Sequence, residues 1–225
     1  MTLCLIPARG GSKRIPRKNV RTFAGRPMIA WSIAAAREAG VFDRLVVSTD
    51  DPGIAEVARA EDAEVLHRPA ELADDHATTA AVVRHGIEQA GQGHDAVCCL
   101  YATAPFVRAA DIRAGLPMLD RAAFAVPVTS FPFPIQRAVR ITGEDRLEMM
   151  HPEHLNTRSQ DLEEAWHDAG QFYWGRVTAW TEGTPLFGSR TMPIRLPRWR
   201  VQDIDTEEDW RRAEAMFQAL VASGA

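Results

Sequence analysis

Thr2-Leu-Cys-Leu-Ile-Pro-Ala-Arg-Gly-Gly-Ser-Lys-Arg-Ile-Pro-Arg-Lys-Asn19 is a short apolar run that passes directly into a glycine-bearing basic loop. Leu3, Cys4, Leu5 and Ile6 suit a strand covered on both faces, as in a parallel sheet, and Pro7 ends it. Gly10 and Gly11 permit a sharp turn and bring backbone N–H groups close to a ligand. Arg9, Lys13, Arg14, Arg17 and Lys18 surround that turn with positive charge. The first 37 residues hold eight Lys or Arg and no acidic residue, whereas the chain sums to a formal −4, so the remainder carries −12. A polyphosphate is the ligand such a loop suits; a solvated basic loop is the plain alternative. The spacing matches neither G-x-x-x-x-G-K-[ST] nor G-x-G-x-x-G.

Working outward, Pro27 opens a helix from Met28 to Ala39 and Gly40 closes it. Arg44–Ser48 reads as a second buried strand, Pro52 opens a helix to Ala60, and Glu64–His67 is a third strand. The polar stretch from Arg68 to Ala77 is long for such a connection and is a candidate ligand loop. Thr78 and Thr79 stand where a helix cap is needed before Ala80–Ala90. A fourth strand spans Ala96–Tyr101, and a helix over 110–122 leads to a strand at Phe124–Thr129. The pattern predicts an α/β fold, a Rossmann-like, mostly parallel sheet flanked by helices, with ligands outside the carboxyl ends of the strands.

The alternation breaks at Phe131-Pro-Phe-Pro-Ile135, because proline donates no ladder hydrogen bond. Ala138–Ile141 and Arg146–Met150 read as a hairpin with no helix to cover it, a projecting arm of the kind that packs on a second subunit. Trp166–Trp174 is an aromatic strand returning to the sheet, Val201–Asp205 a last short strand, and Thr206–Leu220 an amphipathic helix with an acidic first turn. The expected organisation is a nucleotide-binding domain over 1–130 and 166–225, with an arm at 131–165 inserted in it.

At 225 residues, 46% hydrophobic and 25% charged, the chain suits one large core. Cys4, Cys98 and Cys99 lie in apolar runs and read as reduced core residues, and no leader or membrane-length apolar window is present, so a cytoplasmic protein is expected. The histidines have no zinc-site spacing, and no serine stands in a G-x-S-x-G elbow. Aromatic residues do not interleave with the basic loop, and the remaining −12 repels a long polyanion, which argues against nucleic acid as a partner.

Asp203 and Asp205 are two apart, so in an extended segment both carboxylates leave one face. That pair suits Mg²⁺, which takes one or two carboxylates plus substrate phosphates. The plain alternative has Asp205 capping the final helix.

Ile6-Pro-Ala-Arg-Gly-Gly-Ser-Lys-Arg-Ile-Pro-Arg-Lys-Asn19 resembles the CTP-binding signature of the nonulosonic acid cytidylyltransferases, the group that includes CMP-sialic acid synthetases. The resemblance continues through Ser48-Thr-Asp-Asp51, Arg68-Pro, Ala77-Thr-Thr79, Arg158-Ser-Gln-Asp161 and Gln202-Asp-Ile-Asp-Thr206. It implies a nucleotide-diphospho-sugar transferase type of fold and a homodimer. It also implies a Mg²⁺-assisted reaction of CTP with a nine-carbon 2-keto sugar acid. Ala8, Arg9, Gly10, Gly11, Ser12, Lys13 and Asn19 would hold the triphosphate, with Lys18 catalytic beside Asp203 and Asp205. Arg68, Thr78 and Thr79 would lie near the cytosine. Tyr101, Thr103, Arg158, Gln160, His167 and Gln171 would meet the sugar. Phe133-Pro-Ile-Gln-Arg137 and His167-Asp-Ala-Gly-Gln-Phe-Tyr-Trp174 are most similar to the branch acting on pseudaminic acid. Tyr101-Ala-Thr-Ala-Pro105 departs from the Gln-Pro-Thr-Ser-Pro of the sialic acid branch. N-acetylneuraminic, legionaminic or Kdo acid remain alternatives, and a nucleotide-sugar glycosyltransferase is the reading from another class.

Overall fold

The computed structural model describes residues 1–74, 76–91 and 93–223. Thr2–Pro7 (β1), Met28–Ala39 (α1), Arg44–Thr49 (β2), Pro52–Ala60 (α2), Glu64–His67 (β3), Thr79–Ala90 (α3) and Ala96–Leu100 (β4) follow the expected alternation. Both predicted punctuation marks hold for α1: Pro27 precedes it, and Gly40 ends it in the left-handed region at φ 62°. Ala109–Gly115 (α4) is shorter than the helix predicted over 110–122, because Pro117 opens a 3₁₀ segment at Leu116–Asp120.

Phe124–Ser130 (β5) is followed by the predicted hairpin, Val139–Ile141 (β6) with Leu147–Met149 (β7), which pair only with one another among the described residues. Trp166–Asp168 (β8) and Phe172–Arg176 (β9) replace the single strand predicted at 166–174. Val177–Thr181 (α5) and Thr191–Arg195 (β10) come next, and Glu207–Ser223 (α6) closes the fold.

β1 pairs in parallel with β2 on one side and β4 on the other, and β2 carries β3 at the edge. β9 runs antiparallel between β4 and β5, β8 runs antiparallel beside β5, and β10 joins β5 in parallel as the opposite edge. The sheet has eight strands. Val201–Asp205, predicted as a last short strand, forms no ladder; β10 takes the edge beside β5 instead, and its Pro193 is tolerated because an edge strand spares a donor.

Leu3, Cys4, Leu5, Ile6, Val97, Cys98 and Cys99 are fully buried, as strands covered on both faces require. The cysteines are free thiols, and burial pushes all three up, Cys99 to about 12. Phe172 and Trp174 belong to the core, where Trp174 stacks on Phe42 at 5.2 Å and donates Nε1–H to the Ile112 carbonyl at 2.8 Å. Removing that ring would cost about 3–5 kcal/mol. Among the described residues no helix is long and apolar enough to cross a membrane.

Candidate active site

β1, β2 and β4 end together, so the loops following Pro7, Thr49 and Leu100 meet at the carboxyl edge of the parallel strands. The basic loop is fixed there by short hydrogen bonds. Gly10 N–H donates to Asp50 Oδ1 at 3.0 Å, and Ser12 N–H turns back to the Gly10 carbonyl at 2.9 Å. Asn19, nearly buried, donates Nδ2–H to the Arg9 carbonyl at 2.9 Å, and Arg9 Nη1 reaches the Asp74 carbonyl at 2.8 Å. A Cβ on Gly10 would stand 2.8 Å from Asp51 Cβ, whereas one on Gly11 would meet nothing within 4 Å.

A cavity of about 490 Å³ opens over this loop. Arg9, Ser12, Lys13, Arg14, Lys18 and Asn19 line it, with Arg68, Thr79, Tyr101, Thr103 and Asp205 among the other walls. Arg68 is buried and donates Nη2–H to the Ser48 carbonyl at 2.7 Å; burial lowers its pKa against the opposing pull of Asp50. Of the predicted nucleotide residues, Ala8, Gly10, Gly11 and Thr78 do not line the cavity. Thr78 instead caps α3, accepting from Ala81 N–H at 3.2 Å. Asp75, in the predicted ligand loop, lies outside the described residues.

A second cavity, of about 620 Å³, shares Tyr101 as a wall. His167, Asp168, Arg198, Gln202, Asp203 and Arg212 contribute its polar groups. Tyr101 meets Tyr173 edge to face at 5.3 Å, and burial raises both phenols. His167, predicted from sequence, is in this cavity; Thr103 faces the first one instead. Gln171 lines neither, being buried with Nε2–H on the Arg200 carbonyl at 2.7 Å. Arg158 and Gln160 are exposed and also outside both, and Arg158 forms a two-point ion pair with Asp161 at 2.7 and 3.0 Å.

Asp203 lines the second cavity and Asp205 the first. Asp205 is not the helix cap. Thr206 Oγ1 accepts from Asp209 N–H at 3.2 Å, and Asp209 Oδ2 accepts from Thr206 N–H at 2.9 Å, a reciprocal capping box. The Asp205 side chain is thereby left to Lys18 Nζ, at 3.3 Å, and Arg14 Nη2, at 2.9 Å. Burial and then the Asp205 charge raise the pKa of Asp203, partly offset by Lys18. Two neighbouring carboxylates, one of them destabilised by the other, make an oxygen donor set that fits Mg²⁺ with phosphates completing its shell. Among the described residues no larger His, Cys, Asp and Glu cluster is arranged for a metal.

Asp50, Asp168, Arg198 and Arg212 were not singled out in the sequence. Ser48-Thr-Asp-Asp51 held a signal for Asp50 and His167-Asp-Ala-Gly-Gln-Phe-Tyr-Trp174 one for Asp168, while Arg198 and Arg212 reach the second cavity through the turn before α6 and through α6 itself.

The sequence profile described as "Cytidylyltransferase" matches residues 3–187. The chain belongs to the cytidylyltransferase family. A cytidylyltransferase is a nucleotidyltransferase, so the chain is an enzyme of that class. The pseudaminic acid cytidylyltransferase of Campylobacter jejuni subsp. jejuni serotype O:23/36 (strain 81-176) is 42% identical to this cytidylyltransferase over 222 residues, 96% of each chain. In Helicobacter pylori (strain ATCC 700392 / 26695), a relative named pseudaminic acid cytidylyltransferase and UDP-2,4-diacetamido-2,4,6-trideoxy-beta-L-altropyranose hydrolase is 32% identical, covering 96% of this chain and 42% of that protein. The N-acylneuraminate cytidylyltransferase A of Danio rerio is 31% identical, over 93% and 49%. Among solved structures, CMP:2-keto-3-deoxy-manno-octonic acid synthetase complexed with CTP shares the fold, with a TM-score of 0.72 at 17% identity, over 97% of this chain and 98% of that one.

Proposed function

We propose that this cytidylyltransferase couples CTP to pseudaminic acid, giving CMP-pseudaminic acid and pyrophosphate. The observation that carries the reading is the division of one acidic pair between two cavities that meet at Tyr101: Asp205 on the side of the basic loop, Asp203 on the other. The 42% identity to a pseudaminic acid cytidylyltransferase supports the choice of sugar.

In this reading Arg9, Ser12, Lys13, Lys18 and Asn19 bind the triphosphate, and Arg68 with Thr79 faces the base. The sugar acid occupies the cavity of His167 and Asp203. Its anomeric hydroxyl oxygen bonds to the α-phosphorus, the bond from that phosphorus to the bridging oxygen breaks, and the hydroxyl proton is lost to solvent. Lys18 and the loop cations offset the charge that accumulates on the departing pyrophosphate. Asp203 and Asp205 would hold Mg²⁺, which when bound neutralises phosphate charge and lowers the pKa of a coordinated hydroxyl.

The reading includes a homodimer built on the arm at 131–165, which would bring Arg158 and Gln160 to the partner's sugar cavity. Its support is the exposure of Phe133, Ile141, Leu147 and Leu155 on that arm. Three buried free thiols fit a reducing compartment, and we assign the enzyme to the cytoplasm.

Pyrophosphate release with CTP and Mg²⁺ tests the reading across pseudaminic, legionaminic and N-acetylneuraminic acids and Kdo. Release with pseudaminic acid in preference to the others is expected. Preference for another acid moves the substrate, and silence on all four with folded protein overturns the reaction.

A further inference from the structure

We infer that Asp168 accepts a hydrogen bond from an amide N–H or hydroxyl of the sugar acid and thereby orients it in the second cavity, an inference that rests on the reaction proposed above.

The placement of Asp168 begins with the sheet register. Asp168 stands opposite Val128 and Trp174 opposite Ala125, so six steps along β8 and β9 answer three along β5. The surplus is taken up by Ala169–Gln171, a bulge that breaks the ladder where the second cavity opens. Gly170 turns there at φ 61° and donates its N–H to Asp168 Oδ1 at 2.8 Å. Tyr173, buried, donates its hydroxyl to Oδ2 at 2.5 Å.

Two neutral donors, one within the bulge and one on the strand that follows it, thus fix the carboxylate, yet no Lys or Arg among the described residues forms an ion pair with it. Each carboxylate oxygen accepts about two hydrogen bonds, so each retains capacity beyond the donor it already has. A fixed anion at a cavity wall, without a cation of its own, is complementary to a ligand that brings donors. Arg198 and Arg212 line the same cavity, so it presents both signs of charge. A sugar acid matches that arrangement: its own carboxylate is repelled by Asp168 and drawn to the arginines, while its acylamino or hydroxyl groups supply the donors. Tyr101, packed edge to face on Tyr173, links the anchored carboxylate to the wall shared with the first cavity.

The test is steady-state pyrophosphate release from CTP and pseudaminic acid by wild type, Asp168→Asn and Tyr173→Phe. Loss of a hydrogen bond to a charged group raises the sugar KM of Asp168→Asn about 10- to 100-fold, with the CTP KM unchanged. Tyr173→Phe, which frees one carboxylate oxygen from its anchor, shifts the same constant about three- to tenfold. An unchanged sugar KM in Asp168→Asn, or a CTP KM that rises in step with it, overturns the inference. If Asp168→Asn does not fold, Tyr173→Phe decides: an unaltered sugar KM there overturns the inference as well. Wild type that is silent with pseudaminic, legionaminic and N-acetylneuraminic acids and Kdo alike refutes the proposed reaction instead, so the two failures are distinguishable.

Discussion

Arg14 Nη2 stands 2.9 Å from Asp205 Oδ2, and through this contact the basic loop at one end of the chain closes on the acidic pair near the other. The Arg14 side chain is two-thirds exposed, so the pair contributes little to stability and yields readily to a stronger ligand. Lys18 is different: it is mostly covered and donates to the Ile204 carbonyl at 2.6 Å as well as reaching Asp205. Of the two cations on Asp205, Arg14 is thus the replaceable one and Lys18 the built-in one. Asp203, whose own ionisation is opposed by burial and by Asp205, is the carboxylate that would gain most if the pair held a divalent cation.

Asp203→Asn and Asp205→Asn should each lower kcat at least about 100-fold, the scale of losing electrostatic stabilisation at a reacting phosphorus. CTP affinity should stay within a few fold, because the loop cations remain. Pyrophosphate release beside a fluorescence titration of CTP separates the two effects, and near-normal turnover in either variant would remove the pair from the mechanism.

The capping box fixes where Asp205 begins. Asp209 Oδ2 accepts not only from Thr206 but also from Asp205 N–H at 3.2 Å. Asp209→Ala should therefore cost about 1 kcal/mol and lower the melting temperature by a few degrees. It should also reduce kcat more than Thr206→Ser, which keeps a capping hydroxyl. Thermal melts and turnover on the two variants check this; equal activity in both would mean the cap does not position Asp205.

Much of this architecture was legible in the residues, and the exceptions share a cause. Pro27, Gly40 and Pro52 act on the chain locally, so the bounds of α1 and α2 could be read directly. The basic loop was visible through charge alone. β10 was hidden by Pro193, and the ladder formed by β8 and β9 looked continuous because nothing local announces a register slip of three residues. Arg198 and Arg212 were missed, and Asp168 was quoted only as part of His167–Trp174 without a role, for the same reason: their neighbours in the cavity are set by pairing and by where a turn leads, not by spacing. Thr78 and Thr79 show the limit from the other side, since one side chain caps the helix and only the next faces the cavity.

Gly10 and Gly11 look alike in sequence but should fail differently. An alanine Cβ at Gly10 would overlap Asp51, so Gly10→Ala should destabilise the protein by about 1–3 kcal/mol and disturb the loop. Gly11→Ala meets no protein atom and should leave the melting temperature within about a degree or two. A raised CTP KM in Gly11→Ala would then report the approach of the nucleotide itself. An unchanged CTP KM would show that the triphosphate passes elsewhere.

Away from the site, Glu64 accepts from Arg44 Nε at 3.0 Å and Nη2 at 2.6 Å, which joins β3 to β2 and lowers the Glu64 pKa. A depressed carboxylate stabilises the folded state above its unfolded value, near 4.5, and that contribution is lost as pH falls through the lower folded value. Half-exposed as it is, the pair is worth at most about 1 kcal/mol. Glu64→Gln should therefore melt slightly below wild type at pH 7, with the gap closing under acid conditions. A gap that persists below pH 3 would trace the loss to packing instead of charge.

The arm offers the sharpest test of assembly. Its two strands are three residues each, pair with nothing else described, and leave Ile141 71% and Leu147 73% exposed. A hairpin of that size is marginal alone in water, and apolar side chains on its surface favour burial against another chain. Ile141→Glu with Leu147→Glu should shift the protein from dimer to monomer in sedimentation velocity while leaving the sheet intact. Under the proposed arrangement the monomer also loses the partner's Arg158 beside its sugar cavity, so the sugar KM should rise at least tenfold with the CTP KM preserved. A dimer that survives both charges would move the interface off the arm, and a monomer with an unchanged sugar KM would leave Arg158 without a part in sugar binding.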